Sequence, residues 1–187
     1  MRKKEYILYL LFGIALFYIS TFLDKSASLM VQNSKLPFLD FLLSIVTNYG
    51  VVLIFVLLIP AMVLYKQDKK VFTLLFLTFF LALVFSFVLK LIVLRQRPNE
   101  ILYYPLTHII DYSFPSMHSM IAFSLLPLLL TYLPNQKPFW IAFVFLVAVS
   151  RIYFGFHYLS DVVFGAVVGY FIGKILIEVH EERKWNL

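Results

Sequence analysis

Residues 71–94 read VFTLLFLTFFLALVFSFVLKLIVL, with a single charge, Lys90, near the end. A run of that length and polarity exceeds the roughly 20 apolar residues a helix needs to cross a bilayer core, so the segment predicts a membrane span. The same pattern recurs at about 6–23, 48–65, 119–133, 139–150 continuing to about 156, and 159–179, the fourth and fifth segments of the chain being short. The expectation is an all-α integral membrane bundle of six transmembrane helices, with both termini on one side. Composition agrees. The 187-residue chain is 62% hydrophobic and 14% charged, with a mean hydropathy of +0.90, whereas a soluble domain is roughly half apolar and a quarter charged. A water-soluble enzyme is excluded. Six spans use on the order of 120 residues and leave no room for a separate soluble unit, so residues 1–187 read as one domain. The absence of Cys removes disulfides, thiol nucleophiles and thiolate metal sites.

Arg2-Lys3-Lys4 could open a secretory leader, but the apolar run behind them outlasts the usual 7–15-residue core. That stretch is expected to be a retained span, with Ser26-Ala27-Ser28 as the feature that argues otherwise. Between the first two spans, apolar residues at 38, 39, 42 and 43 suit an amphipathic helix at the outer interface. The alternative is a second span begun early by Pro37.

Loop charges set the orientation. With the N-terminus inside, the inner segments hold Arg2, Lys3, Lys4, Lys66, Lys69, Lys70, Lys137, Lys174, Arg183 and Lys184, ten of the 16 basic residues. Positive-inside bias therefore favours an N-in, C-in topology. Lys25 and Lys35 are ordinary outer-loop cations. Lys90, Arg95, Arg97 and Arg151 fall at the outer ends of spans, where the rule does not place them, and they need another explanation.

Lys90 and Arg97 stand seven residues apart, nearly two turns of a continuing helix, and Pro98 stops it. Alone, the pair fits cations snorkelling to headgroups. Ser113-Phe114-Pro115-Ser116-Met117-His118 precedes the fourth span. Ser116 there suits an N-cap or, with the free N–H groups of the first turn, an anion site. Ser150-Arg151 closes the fifth span, and His157 and Asp161 share a helical face at i and i+4, which fits an interfacial hydrogen bond as well as an activated imidazole. Ionisable residues at a membrane edge are expensive and mark sites, and all of these fall on one side. Together they describe a phosphate site with a nucleophile.

The order Lys90, six residues, Arg97-Pro98; Pro115-Ser116-Met117-His118; Ser150-Arg151, five residues, His157, three residues, Asp161 resembles the three-part signature of the type 2 phosphatidic acid phosphatase superfamily. That family comprises membrane lipid phosphatases, with soluble haloperoxidases and acid phosphatases as relatives. The resemblance implies that Lys90, Arg97 and Arg151 grip the phosphoryl oxygens with Ser116 and the Met117 N–H. His157 would attack phosphorus, Asp161 orient it, and His118 protonate the leaving oxygen and then activate water. Ser150 would support by a hydrogen bond. Met117 stands where the family usually has Gly.

No metal, cofactor or nucleic-acid partner is expected. The implied substrate is a lipid phosphate, with undecaprenyl pyrophosphate, phosphatidylglycerol phosphate and the anomeric phosphate of lipid A as candidates. The expected place is a cytoplasmic (inner) membrane, with the site facing the periplasm or exterior. A phosphotransferase and a non-catalytic lipid-phosphate binder or transporter are the rival readings. Arg95, Tyr103, His108, Asp111 and Tyr112 read as a solvated loop, and His180 with Glu178, Glu181 and Glu182 as a solvated tail. Gly165, Gly169 and Gly173 permit close helix approach, within the bundle or across a dimer seam.

Overall fold

The computed structural model describes residues 3–33, 35–98 and 112–185, and every regular element among them is helical. Helix α1 covers Lys3–Asn33, α2 Pro37–Thr47, α3 Tyr49–Leu53, α4 Ile59–Gln67, α5 Lys69–Val93, α6 Met117–Tyr132, α7 Lys137–Tyr153 and α8 Leu159–Trp185. Helices α3 and α4 are joined by a π-helical stretch, Ile54–Leu58, in which the Ile59 N–H reaches the Ile54 carbonyl. Pro60 has no N–H to give the preceding turn, and a widened turn accommodates it without breaking the span.

Among the described residues, four helical segments are long and apolar enough to cross a membrane: Lys4–Val31, Tyr49–Gln67, Lys69–Val93 and Leu159–Glu182. Helices α6 and α7 pass that test only together, as a pair bent by 119° at the turn Pro134–Gln136. At 1.5 Å per residue α6 is about 24 Å long, shorter than the roughly 30 Å hydrocarbon core. It does not meet lipid alone, since every residue from Met117 to Leu129 is buried. Large apolar side chains cover the outer faces instead, with Phe22 on α1 at 83% exposure, as expected of a surface solvated by lipid. This is a multi-pass membrane protein.

The glycine ladder of α8 is used inside the chain. A methyl at Gly165 would lie 2.7 Å from the Ser116 carbonyl oxygen, and methyls at Gly169 and Gly173 would collide with those of Met120 and Ser124. These faces are therefore filled by α6 and are not open to a partner, so the dimer seam considered for Gly165, Gly169 and Gly173 gives way to the contact within the bundle. The reading of 178–182 as a solvated tail is likewise corrected. Glu178 accepts a hydrogen bond from the Tyr6 hydroxyl and Glu181 one from Tyr132 at 2.7 Å, tying the C-terminal end of α8 to α1 and α6.

Helix α2 is a separate helix and not an early start of the second span; it buries Leu43 and Val46 and leaves Phe38 and Leu42 exposed. One local reading changes. Helix α5 ends at Val93 because Leu94 adopts a left-handed backbone, φ 52° and ψ 32°. Lys90 and Arg97 thus do not share a helical face, and the chain turns before Arg97.

Gly169→Ala is expected to lower stability by roughly 1–3 kcal/mol, the cost of overpacking a tight contact, read as a reduced thermal unfolding midpoint in detergent. A midpoint unchanged by the substitution would contradict the α6–α8 packing.

Candidate active site

The site is assembled at one end of the bundle, where α5 and α7 end and α6 and α8 begin. After Leu94 the backbone runs beside residues 112–116, with the Ser113 N–H donating to the Arg95 carbonyl at 2.7 Å. The Phe114–Pro115 peptide in this strap is cis. The Ser116 N–H then donates to the Asp161 carbonyl at 3.1 Å, joining the start of α6 to the start of α8. Ser116 caps α6 as its sequence suggested, its hydroxyl accepting from the Ser119 N–H at 3.4 Å. The first-turn N–H groups of Met117 and His118 have no carbonyl one turn behind them to bond, the usual condition of a helix start.

His157 arrives through a tight turn after α7. Gly155 takes φ 66°, a left-handed conformation that costs a glycine little. The N–H groups of Phe156 and His157 both point at the Arg151 carbonyl, at 3.1 and 3.2 Å. This folds His157 back beside Arg151. Its Nδ1 lies 2.6 Å from the Ser113 carbonyl oxygen. A carbonyl can only accept, so Nδ1 carries the proton and Nε2 the lone pair.

Asp161 does not hold His157 directly, which corrects the pairing read from the i, i+4 spacing. Its Oδ2 is 3.7 Å from Nδ1, beyond hydrogen-bond distance. Oδ2 is engaged by the Ser113 hydroxyl and by the Tyr158 N–H at 2.9 Å. Ser113 therefore mediates, with its hydroxyl on Asp161 and its carbonyl on His157.

The three expected cations converge. Lys90, 2% exposed, donates to the Tyr112 carbonyl. Arg97 donates to the Phe156 carbonyl at 3.0 Å. Arg151 is buried, stacks on Phe156 at 4.4 Å and donates to the Thr47 hydroxyl at 2.7 Å. Burial first, then the fields of Arg151, Lys90 and Arg97, hold the pKa of His157 well below the ordinary histidine value, against the opposing Ser113 hydrogen bond. That direction favours the neutral ring, the form in which an imidazole can act as a nucleophile.

His118 sits in the first turn of α6 with Tyr49 packed on it, ring centroids 3.9 Å apart. The Tyr49 hydroxyl meets the Met117 sulfur, so the bulk at that position is taken up by an aromatic neighbour. His118 Nε2 and Arg151 Nε are buried and without a partner among the described residues. Buried polar atoms are normally satisfied, and two orphans beside three cations fit a site made for a polar anionic group. Ser150 turns away from this centre. Its hydroxyl bonds the Val147 carbonyl at 2.7 Å, within its own helix. Among the described residues no three His, Asp or Glu side chains gather as metal ligands would.

Sequence reasoning missed several partners. Arg95, read as a solvated loop residue, bonds Asp161 at 2.6 Å and Asp24 at 2.8 Å. Thr47 and Tyr49, at the corner of α2 and α3, wall the site from a part of the chain remote in sequence. The position of Arg95 among the four outward cations was the one available signal; nothing marked Asp24, Thr47 or Tyr49. Tyr103, His108 and Asp111 lie outside the described residues.

The PAP2 superfamily profile matches residues 71–185. An undecaprenyl-diphosphatase of Sulfolobus acidocaldarius is 27% identical over 96% of this chain and 93% of its own. The crystal structure of a transmembrane PAP2 type phosphatidylglycerolphosphate phosphatase from Bacillus subtilis superposes with a TM-score of 0.74 at 24% identity, covering 94% of this chain and 96% of that one. That of Aquifex aeolicus LpxE gives 0.67 at 25% identity, covering 83% and 95%.

The depressed His157 pKa has a measurable sign. Because the neutral ring persists as pH falls through 6.5, the acid limb of kcat/KM assigned to it is expected below pH 6.5, once ionisation of the substrate phosphate is corrected for. A limb centred at or above 6.5 would contradict the assignment.

Proposed function

Since this chain belongs to the PAP2 superfamily, we propose that it is a membrane lipid phosphatase that releases phosphate from a lipid headgroup at the outer face through a phosphohistidine on His157. The observation that carries this reading is the buried neutral imidazole, its Nδ1 proton fixed by the Ser113 carbonyl at 2.6 Å, in the combined field of Lys90, Arg97 and Arg151. Phosphoryl transfer is mostly positioning and neutralisation of charge on the equatorial oxygens, and this site supplies both.

In the first half-reaction the Nε2 lone pair of His157 forms a P–N bond as the P–O bond to the lipid breaks. The leaving oxygen takes a proton from His118. In the second half, water gives a proton to His118 as its oxygen bonds phosphorus, and the P–N electron pair returns to the ring. Lys90, Arg97 and Arg151, with Ser116 and the Met117 N–H, take the phosphoryl oxygens and do the work a divalent ion does elsewhere. Asp161 steadies the developing imidazolium, acting through Ser113.

An apolar cavity of about 450 Å³ between α1, α5 and α8, lined among others by Gly13, Phe17, Phe85, Phe164 and Ile175, suits a hydrocarbon chain. Phe17 and Phe164 pack at 5.5 Å, and Phe114, beside Ser113, packs on Phe164 at 4.6 Å, so the cavity runs up to the strap that holds His157. A lipid diphosphate is our preferred substrate, on the similarity to a diphosphatase over nearly the full chain. We further assign six crossings with N-in, C-in topology, counting α6 and α7 as two short spans enclosed by the others, and a cytoplasmic membrane location.

Purified protein is expected to release phosphate from a prenyl diphosphate and a short-chain phosphatidic acid in detergent, with EDTA present. His157→Ala should reduce release to background while vanadate binding persists. Arg151→Lys keeps charge but loses the planar fork and should cost on the order of tenfold or more in turnover. Turnover in His157→Ala, or a loss in EDTA restored by Mg²⁺, would refute the corresponding part of the mechanism. Topology is tested separately: a cysteine at Lys35 should label from outside, and one at Gln67 only after permeabilisation. The reverse pattern would invert the orientation.

A further inference from the structure

Asp24 lies on α1, outside residues 71–185 that the superfamily profile matches, yet its carboxylate reaches the site. It is 7% exposed. One oxygen accepts from the Ser160 N–H at 2.8 Å, and the other from the Ser160 hydroxyl at 2.6 Å and Arg95 Nη2 at 2.8 Å. Arg95 Nη1 donates to Asp161 Oδ1 at 2.6 Å and to the Ser160 hydroxyl at 2.7 Å. The guanidinium plane lies over the Tyr158 ring at 4.0 Å. A single cation is thus clamped between two carboxylates, one of them the fully buried Asp161.

The charge count gives this clamp a consequence. Asp161 alone would place one negative charge behind His157, but Arg95 cancels it. With Asp24 included, the three groups sum to −1. Formation of the phosphohistidine makes the ring cationic while Lys90, Arg97 and Arg151 already act on it, so that remaining negative charge favours the step.

We propose that Asp24 is a positioning residue of this site: by pairing with Arg95 it restores the net negative charge behind His157 that Arg95 would otherwise remove. The inference rests on His157 being the nucleophile. It also assigns α1 a part in the chemistry beyond anchoring the bundle.

The test uses the full chain in detergent with a prenyl diphosphate, measuring kcat and KM separately. Asp24→Asn leaves the trio neutral, and kcat is expected to fall about tenfold with KM within about twofold. Asp24→Asn/Arg95→Gln returns the sum to −1, leaving Asp161 uncancelled, and is expected to recover most of that loss. A packing role predicts the opposite, since the double variant breaks more contacts than the single one. Asp24→Glu keeps the charge and should stay within about threefold of the parent. It decides the matter together with the double variant if Asp24→Asn does not fold by size exclusion. Equal kcat in Asp24→Asn and the parent, a double variant slower than the single, or Asp24→Glu more than tenfold slower than the parent overturns the proposal. These outcomes are distinct from failure of the nucleophile assignment, which shows as turnover in His157→Ala.

Discussion

Carbonyl oxygens of Ser116, Met120 and Ser124 on α6 occupy the space that methyl groups would fill at Gly165, Gly169 and Gly173 on α8. In a membrane, where lipid removes the hydrophobic incentive for helices to associate, close backbone approach and its dispersion contacts hold a bundle together. The site is built at the N-terminal end of this same contact. The Ser116 N–H reaches the Asp161 carbonyl because the two helix starts are already pressed together, and the cap of α6 and the first turn of α8 become one surface.

Around that contact the molecule concentrates charge that a bilayer would otherwise exclude. Lys90, Arg97 and Arg151 act on His157, and Asp161, joined through Arg95 to Asp24, stands near its Nδ1. Burial makes each group costly if left alone, and most find protein partners: Lys90 the Tyr112 carbonyl, Arg97 the Phe156 carbonyl, and Arg95 two carboxylates. The partial exceptions are Arg151, whose Nε has no partner among the described residues, and His118, whose Nε2 has none there either; unmatched polar atoms of this kind are what a polar ligand would satisfy.

Ser113 shows how indirect such control is. It contributes a hydroxyl to one catalytic candidate and a carbonyl to the other, and its own N–H is held by Arg95. A residue that carries no proton chemistry of its own thereby selects the tautomer of His157. Carbonyl-fixed imidazoles have one reactive nitrogen, and here the choice is made by a backbone strap.

The sequence by itself determined the helical membrane class, since apolar runs of this length have no other solvent that suits them, and it determined which cations, imidazoles and carboxylate belong together, because their spacing repeats a known signature. It determined the Ser116 cap and the glycine ladder for the same reason: short-range geometry is encoded in short-range residue order. Tertiary structure alone decided how these groups meet. The i, i+4 spacing suggested that Asp161 holds His157, but Gly155 turns the chain before α8 begins, so the two are not on one helix face and Ser113 comes between them. The left-handed Leu94 likewise ends α5 before Arg97. Asp24, Thr47 and Tyr49 were invisible because each reaches the site from a distant helix, and no local pattern distinguishes a polar residue at a membrane edge that faces water from one that faces a guanidinium. That difference is set by which helices pack together, and so by the whole bundle.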